Sequence, residues 1–371
     1  MEQAIQREKK IIRTSIIGIF ANIALAAFKA GVGLLANSIA IVMDAVNNLS
    51  DALSSVITIV GTKLANLPAD KKHPYGHGRI EYFSAIIIAM IVVFAGVTSL
   101  IESIKKIIHP ETADYSIVSL IIISVAIIVK LVLGSYVKRV GKAVNSDSLV
   151  ASGSDALFDA IISLATLLSA VVMLVWHISL DSWLAAIISL VIIKAGVEMV
   201  MAPVNRLLGV RITSSYTKQI KKDVATVKGV LGAYDLLIHE YGPQMSVGSV
   251  HVEVLDTLTA CEIDTITRRI QKLIANKYGI FLTVGIYAVN THDNESAHIG
   301  HEIRQIAVAK ECVMQTHGVY VNPEDKDIKF DILVSFDVDD ALKLREDIIH
   351  EIHEKYPEYH VSVNIDHDIT D

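Results

Sequence analysis

Only two of the 371 residues are cysteines, Cys261 and Cys312, and they share no motif spacing with each other or with histidines. That excludes a disulfide framework and a cysteine-based zinc site, and both read as buried or incidental thiols. Basic residues are also outnumbered, 33 Lys and Arg against 40 Asp and Glu, for a net charge of -7 at pH 7. Without a clustered positive field there is no phosphate-binding surface, so nucleic acid is not a partner. Charged residues make up only 20% of the chain and aromatics 6%, too little polar sequence for an ordinary soluble protein. No cleavable leader is evident: the charged stretch Met1 to Arg13 runs into an apolar segment too long for a signal peptide, with no small-residue cleavage site, so that segment reads as a retained span.

What is abundant is hydrophobic sequence, 52% of residues with a mean hydropathy of +0.48. It is concentrated before about Pro203, and the sequence after that is mixed and charge-rich. The pattern predicts a membrane domain followed by a soluble one. Six segments are long enough to cross a hydrocarbon core of about 30 Å: Ile11 to Leu35, Ile39 to Leu64, Ile80 to Ile101, Ser116 to Val137, Leu149 to Trp176 and Trp183 to Ala202. In lipid every backbone group must be paired within the segment, so these are helices. Basic residues cluster at one set of ends: Arg7, Lys9, Lys10, Arg13, then Lys63, Lys71, Lys72, Arg79, then Lys138, Arg139, Lys142, then Arg206 and Arg211. The positive-inside bias therefore puts both termini in the cytoplasm, in a multi-pass protein of the cytoplasmic membrane.

Ionisable residues inside spans are costly, about 2.5 to 3.5 kcal/mol each at mid-helix, and point to function. Asp44, Asn47 and Asp51 lie in the second span, Asp155 and Asp159 in the fifth. Both pairs, Asn47/Asp51 and Asp155/Asp159, use the i, i+4 step that puts side chains on one helix face. Carboxylates gathered in a dry bundle repel unless a cation or protons sit among them. An oxygen-only set of Asn47, Asp51, Asp155 and Asp159 suits manganese, magnesium or calcium better than zinc or copper. Asp44, nearer the start of its span, takes a secondary role in admitting the ion. Lys130, Lys194 and Glu198 are single long side chains able to snorkel, and no chemistry is assigned to them.

With these motifs in place the chain resembles the cation diffusion facilitator family of metal transporters: six spans, paired polar motifs on spans two and five, and a soluble tail. The loop Pro68-Ala69-Asp70-Lys71-Lys72-His73-Pro74-Tyr75-Gly76-His77-Gly78-Arg79-Ile80-Glu81 adds to the likeness, which extends to about Asn290. The family's zinc carriers typically have His-x-x-x-Asp on span five where this chain has Asp155-x-x-x-Asp159, a departure similar to the manganese-exporting bacterial branch. The resemblance implies a peripheral metal site at Asp70, His73 and His77; a solvated turn built by Pro74, Gly76 and Gly78 is the other reading of the same loop. It also implies a ferredoxin-like, metallochaperone-like cytoplasmic domain that dimerises. His251 matches one position of the family's cytoplasmic zinc site, but Tyr234 and Ile286-Tyr287-Ala288 stand where further ligands belong. That site is expected to be lost or rebuilt, with His239 and His251 ordinary sheet or surface histidines.

The soluble region carries an α-β-β-α-β pattern: helix Ser215 to Lys228, strands Ala233 to His239 and Ser246 to Val254, helix Ala260 to Tyr278 and strand Thr283 to Val289. After a polar linker the order recurs, with helix His298 to Gln315, strands Gly318 to Val321 and Lys329 to Phe336, helix Asp340 to Tyr356 and strand His360 to Asp366. Thr316-His317-Gly318-Val319 takes the place of Val227-Lys228-Gly229-Val230. His350 and His353 lie on a charged helix face with Glu351 and Glu354 and read as solvated; His360 and His367 complete the tail's histidines. The expected fold is thus a six-helix membrane bundle with a cytoplasmic α+β ferredoxin-like tail. Its divisions are a transport domain at residues 1–206, a ferredoxin-like domain at 207–290 and an added α+β unit at 291–371.

The function expected is proton-coupled efflux of a divalent cation, Mn2+ first, by a homodimer with no resident cofactor and no enzymatic activity. The same machine carrying Zn2+, Fe2+ or Co2+ is the near alternative. A non-transporting metal sensor and an intramembrane aspartyl hydrolase are the alternatives from other classes.

Overall fold

The computed structural model describes residues 2–35, 39–109, 117–176, 181–243, 245–291, 294–335 and 338–367. It divides into two compact units, Met1–Val210 with Tyr241–Met245, and Arg211–Glu240 with Ser246–Asp371.

The first unit is built on six long helices: α1 (Glu2–Leu35), α2 (Ile39–Ala65), α3 (Ile80–Ile108), α4 (Ile117–Ala143), α5 (Asp147–Trp176) and α6 (Asp181–Leu208). Among the described residues, α1, α3, α4, α5 and α6 contain stretches long and apolar enough to cross a membrane. The remaining long helix, α2, carries Asp44, Asn47, Asn48 and Asp51. The helices extend past the apolar segments at their charged ends: α1 starts at Glu2 and α6 runs through Pro203 to Leu208. They pack chiefly as α1 with α2, α3 with α6, and α4 with α5.

Small residues set the closest of these contacts. A Cβ on Gly153 of α5 would fall 2.5 Å from the Lys138 nitrogen of α4, and one on Gly134 would fall 2.9 Å from the Gly153 carbonyl oxygen. Hydroxyls inside the bundle bond back to their own helix, as Thr58 does to the Ser54 carbonyl at 3.1 Å and Ser103 to that of Ser99 at 2.7 Å. This satisfies them where no water is at hand. Arg7 ties the start of α1 to α3 and to the turn between α4 and α5, donating to Glu81 Oε1 and to the Val144 carbonyl, both at 2.7 Å.

The second unit contains α7 (Ser214–Ala225), β1 (Gly232–Glu240), β2 (Ser246–Leu255), α8 (Ala260–Tyr278) and β3 (Ile280–Val289), then α9 (Asn294–Val308), β4 (Val313–Asn322), β5 (Asp327–Val334), α10 (Ala341–Lys355) and β6 (His360–His367). Two three-stranded mixed sheets result, ordered β1-β2-β3 and β4-β5-β6, each with an antiparallel first pair and a parallel second pair. In each, two helices bury one face: Ile220, Val224, Ile266, Ile270 and Ile274 cover the first sheet, and Ile299, Ile303, Ile348 and Ile352 the second. α8 starts at a Thr259/Glu262 capping box and ends at Gly279, whose φ of +70° needs no Cβ.

Several boundaries of the second unit shift by a few residues, as β3 starts at Ile280 and β5 spans Asp327–Val334, and the largest difference is at the end of α9. The helix expected over His298 to Gln315 stops at Val308, and Val313–Asn322 is strand. Thr316-His317-Gly318-Val319 is therefore strand and not the counterpart of the Val227 to Val230 loop. The apolar positions Val313, Val319 and Val321 continue a period that suits either state, and the break comes from a turn at Lys310 to Cys312, where Cys312 has φ +73°. Both cysteines are free and exposed, not buried.

Candidate metal centre

Asp51 on α2 and Asp159 on α5 meet around a third residue, Lys130 of α4. The Lys130 ammonium donates to Asp51 Oδ2 at 2.8 Å and also to Asp159 Oδ2. It is 4% exposed and paired with both carboxylates, so it does not snorkel to the interface as the sequence reading allowed. The cause is packing: α4 and α5 approach closely at Gly134 and Gly153, and Lys130 lies one turn before Gly134. Asp155, one turn before Asp159, stands in the field of Asp159, Asp51 and Lys130, and a second buried lysine, Lys29 of α1, bears on Asp51. α2 places Asn47 and Asp44 one and two turns before Asp51, but the side chains of both lie outside the described residues.

Ligand atoms of three or more His, Cys, Asp or Glu side chains converge within 4.8 Å in two groups among the described residues. Neither is the Asp51/Asp155/Asp159 set, where an ammonium stands between two of the carboxylates. One group is Asp70, His73 and His77, in the loop between α2 and α3. Asp70 Oδ1 accepts from the backbone nitrogens of His73 at 2.6 Å and Lys72 at 2.8 Å, which holds its carboxyl below the usual range. His73 Nδ1 lies 3.2 Å and His77 Nε2 3.6 Å from that carboxylate. The loop is thus both an Asx-type turn and a convergent donor set, so the two readings of it coexist.

The other group is Asp235, His317, Asp331 and Asp366 in the second unit. His317 Nε2 lies 2.8 Å from Asp235 Oδ1 and 3.6 Å from Asp366 Oδ2. These are ion-pair distances, yet neither buried ring nitrogen of His317 makes a hydrogen bond of acceptable geometry. Burial disfavours the imidazolium, but the carboxylates of Asp235, Asp366 and Asp331 outweigh it and push His317 up to about 9. Burial likewise acts to raise Asp235, and His251, His317 and Tyr287 together bring it below the carboxylate range. His251, expected to be an ordinary sheet histidine, has its Nδ1 2.9 Å from Asp235 Oδ2 and its ring stacked on Tyr287 at 4.6 Å.

The transmembrane part, residues 15–208, matches the model of the cation efflux transmembrane domain, and residues 214–286 match that of the cation efflux protein cytoplasmic domain. The chain belongs to the cation efflux family. Among its relatives is an uncharacterized transporter of Methanocaldococcus jannaschii, 28% identical over 258 residues, covering 70% of this chain and 91% of the relative. The manganese efflux system protein MneS of Bacillus subtilis is 26% identical over 270 residues, covering 72% and 91%. Metal tolerance protein 2 of rice, Oryza sativa, is 29% identical over 299 residues, covering 72% and 77%. As a member of this family the protein is a multi-pass efflux transporter of divalent metal cations and not an enzyme, which sets aside the aspartyl hydrolase.

Sequence reasoning missed Lys130, Asp235, His317, Asp331 and Asp366. For Lys130 a signal existed: a lysine in an apolar run, in a chain with unpaired intramembrane aspartates, is a ready counter-ion. The other four are scattered over 132 positions, from Asp235 to Asp366, and no local spacing links them.

Proposed function

We propose that this efflux transporter carries Mn2+ out of the cytoplasm in exchange for protons, as a homodimer with both termini cytoplasmic. Its divisions are transport domain 1–206, ferredoxin-like domain 207–290 and an added unit 291–371. Asn47, Asp51, Asp155 and Asp159 hold the ion, the aspartates as ionised ligands and Asn47 through its amide oxygen; Asp44 helps admit it. The observation that carries this reading is the Lys130 ammonium held between Asp51 and Asp159: these carboxylates, on two helices, already share a cation. Lys130 is then a tethered competitor. It neutralises the aspartates when the site is empty of metal, and it must yield for a divalent ion to bind and return as the ion leaves. Rocking of helix pairs about this point exposes the set to each face in turn. On the outward side, protons taken up by the aspartates help expel the ion.

Manganese is favoured over zinc by the oxygen-only donor set, with Asp155 where zinc carriers have histidine. The printed role of MneS is in keeping with this. Asp70, His73 and His77 serve as a peripheral ion site outside the bilayer, and the match to a cytoplasmic-domain model supports the orientation and the dimer. The test is flux into vesicles down a pH gradient at matched free Mn2+, Zn2+, Fe2+ and Co2+. Wild-type protein should move Mn2+ fastest, and Asp51→Ala or Asp159→Ala should abolish movement. Wild-type rates in either variant would refute the site, and a preference for another metal would refute the cargo.

A further inference from the structure

The two sheets of the second unit meet through equivalent positions. In the first, the β1 strand bulges between Tyr234 and Leu237, and Tyr234 pairs with His251 of β2. In the second, β4 bulges between His317 and Tyr320, and His317 pairs with Asp331 of β5. Each bulge contains a residue at positive φ, Asp235 at +52° and Gly318 at +60°. Bulges re-aim side chains, and here they bring equivalent residues face to face: the rings of Tyr234 and His317 stack at 4.9 Å, only 6° from parallel.

Between them lies an unbalanced polar cluster. Asp235, Asp331 and Asp366 supply three carboxylates against two imidazoles, His317, which is 1% exposed, and His251, whose Nδ1 lies 2.9 Å from Asp235 Oδ2. Tyr287 carries a single hydroxyl proton, yet its oxygen lies 2.6 Å from Asp331 Oδ2 and 3.0 Å from Asp235 Oδ2. It can donate to only one of them. Asp331 is 7% exposed, and its other oxygen accepts from Asn364 Nδ2 at 2.7 Å. With Asp331 buried and Asp235 half-buried beside it, negative charge here is costly unless a cation balances it. The second pointer is His317 itself: its Nε2 lies 2.8 Å from Asp235 Oδ1 and 3.6 Å from Asp366 Oδ2, yet neither buried ring nitrogen makes a well-formed hydrogen bond.

We propose that Asp235, His317, Asp331 and Asp366 form a divalent-cation site joining the two halves of the second unit. One ligand atom from each residue lies within 4.8 Å of all the others. Ligands about 2.0 to 2.2 Å from a shared ion stand no more than about 4.4 Å apart, so only a small inward closure is needed. Three carboxylate oxygens and one imidazole suit Mn2+, with zinc a weaker fit. His251 and Tyr287 orient Asp235, and Asn364 orients Asp331, as outer groups do around bound metals. Three of the four ligands lie beyond both ranges matched by the family models, so this set belongs to the added part of the chain.

The test exploits chemistry that the transport site lacks. The membrane set offers oxygen only, so nitrogen coordinated directly to Mn2+ reports another site. The full chain with His73→Ala and His77→Ala, stripped by chelator and titrated with Mn2+, should show nitrogen coupling from one imidazole in pulsed electron paramagnetic resonance. His317→Gln should abolish that coupling. Asp366→Asn, at a position 42% exposed and thus tolerant of change, should weaken Mn2+ binding at this site about tenfold or more. Absence of nitrogen-coupled Mn2+ in the parent overturns the proposal, as does undiminished coupling in His317→Gln or unchanged affinity in Asp366→Asn. Loss of transport leaves this readout unaffected, so the two sites fail or stand separately.

Discussion

A lysine between two aspartates inside a membrane bundle behaves differently from any of the three alone. Removing one partner of a buried pair leaves uncompensated charge, at a cost of about 3 to 5 kcal/mol. Lys130→Met should therefore lower the melting temperature of the metal-free protein, and Mn2+ should restore more stability to the variant than it adds to the wild type. Melting in chelator and in Mn2+ measures both; a variant that no longer responds to Mn2+ would make Lys130 a partner of the ion and not its competitor. His317 gives a pH dependence. Its folded value, about 9, lies above the 6.5 of a free imidazole, so its contribution to stability is complete below about pH 6.5 and disappears as pH rises through 9. With chelator present, the wild-type second unit should lose stability between pH 6.5 and 9.5 more steeply than His317→Gln, followed by thermal melts across that range.

At the scale of elements, the packing of α4 on α5 decides whether Lys130 and Asp159 can meet. A methyl group at Gly153 would strike backbone, not a flexible side-chain end, and the helices would have to part. Gly153→Ala should cost about 1 to 3 kcal/mol and reduce Mn2+ flux, whereas Gly31→Ala, with nothing within 4 Å of the added carbon, should do neither. Paired melting and flux assays on the two variants check this. Most elements were legible because their signals are local: apolar runs for the six long helices, alternation for the strands, and a Thr259/Glu262 box that starts α8 at the expected Ala260. The end of α9 was not legible. Val313 to Val321 suits either period, and what makes it strand is its pairing with β5, a partner several residues further on.

For the whole molecule, the second α-β-β-α-β set is docked on the first by specific polar contacts. Asn290 donates to the Val321 carbonyl at 3.1 Å and accepts from its nitrogen at 2.9 Å, while the buried Glu253 accepts from Arg304 at 3.0 Å. Asn290→Ala breaks both of these links between the residue that follows β3 and Val321 of β4. It should destabilise the second unit by about 1 to 3 kcal/mol and speed hydrogen exchange at the Val321 amide, leaving exchange within α8 less affected. The sequence by itself determined the membrane bundle, the repeated element order and the polar faces of α2 and α5, because each rests on periodicity within one helix or strand, and periodicity is written in neighbouring residues. Only the tertiary structure decided that Lys130 stands between Asp51 and Asp159, and that His317 is surrounded by Asp235, Asp331 and Asp366. These are matters of charge balance between distant segments. A buried charge must find its counterpart wherever packing brings one within reach, and no spacing along the chain records which one that is.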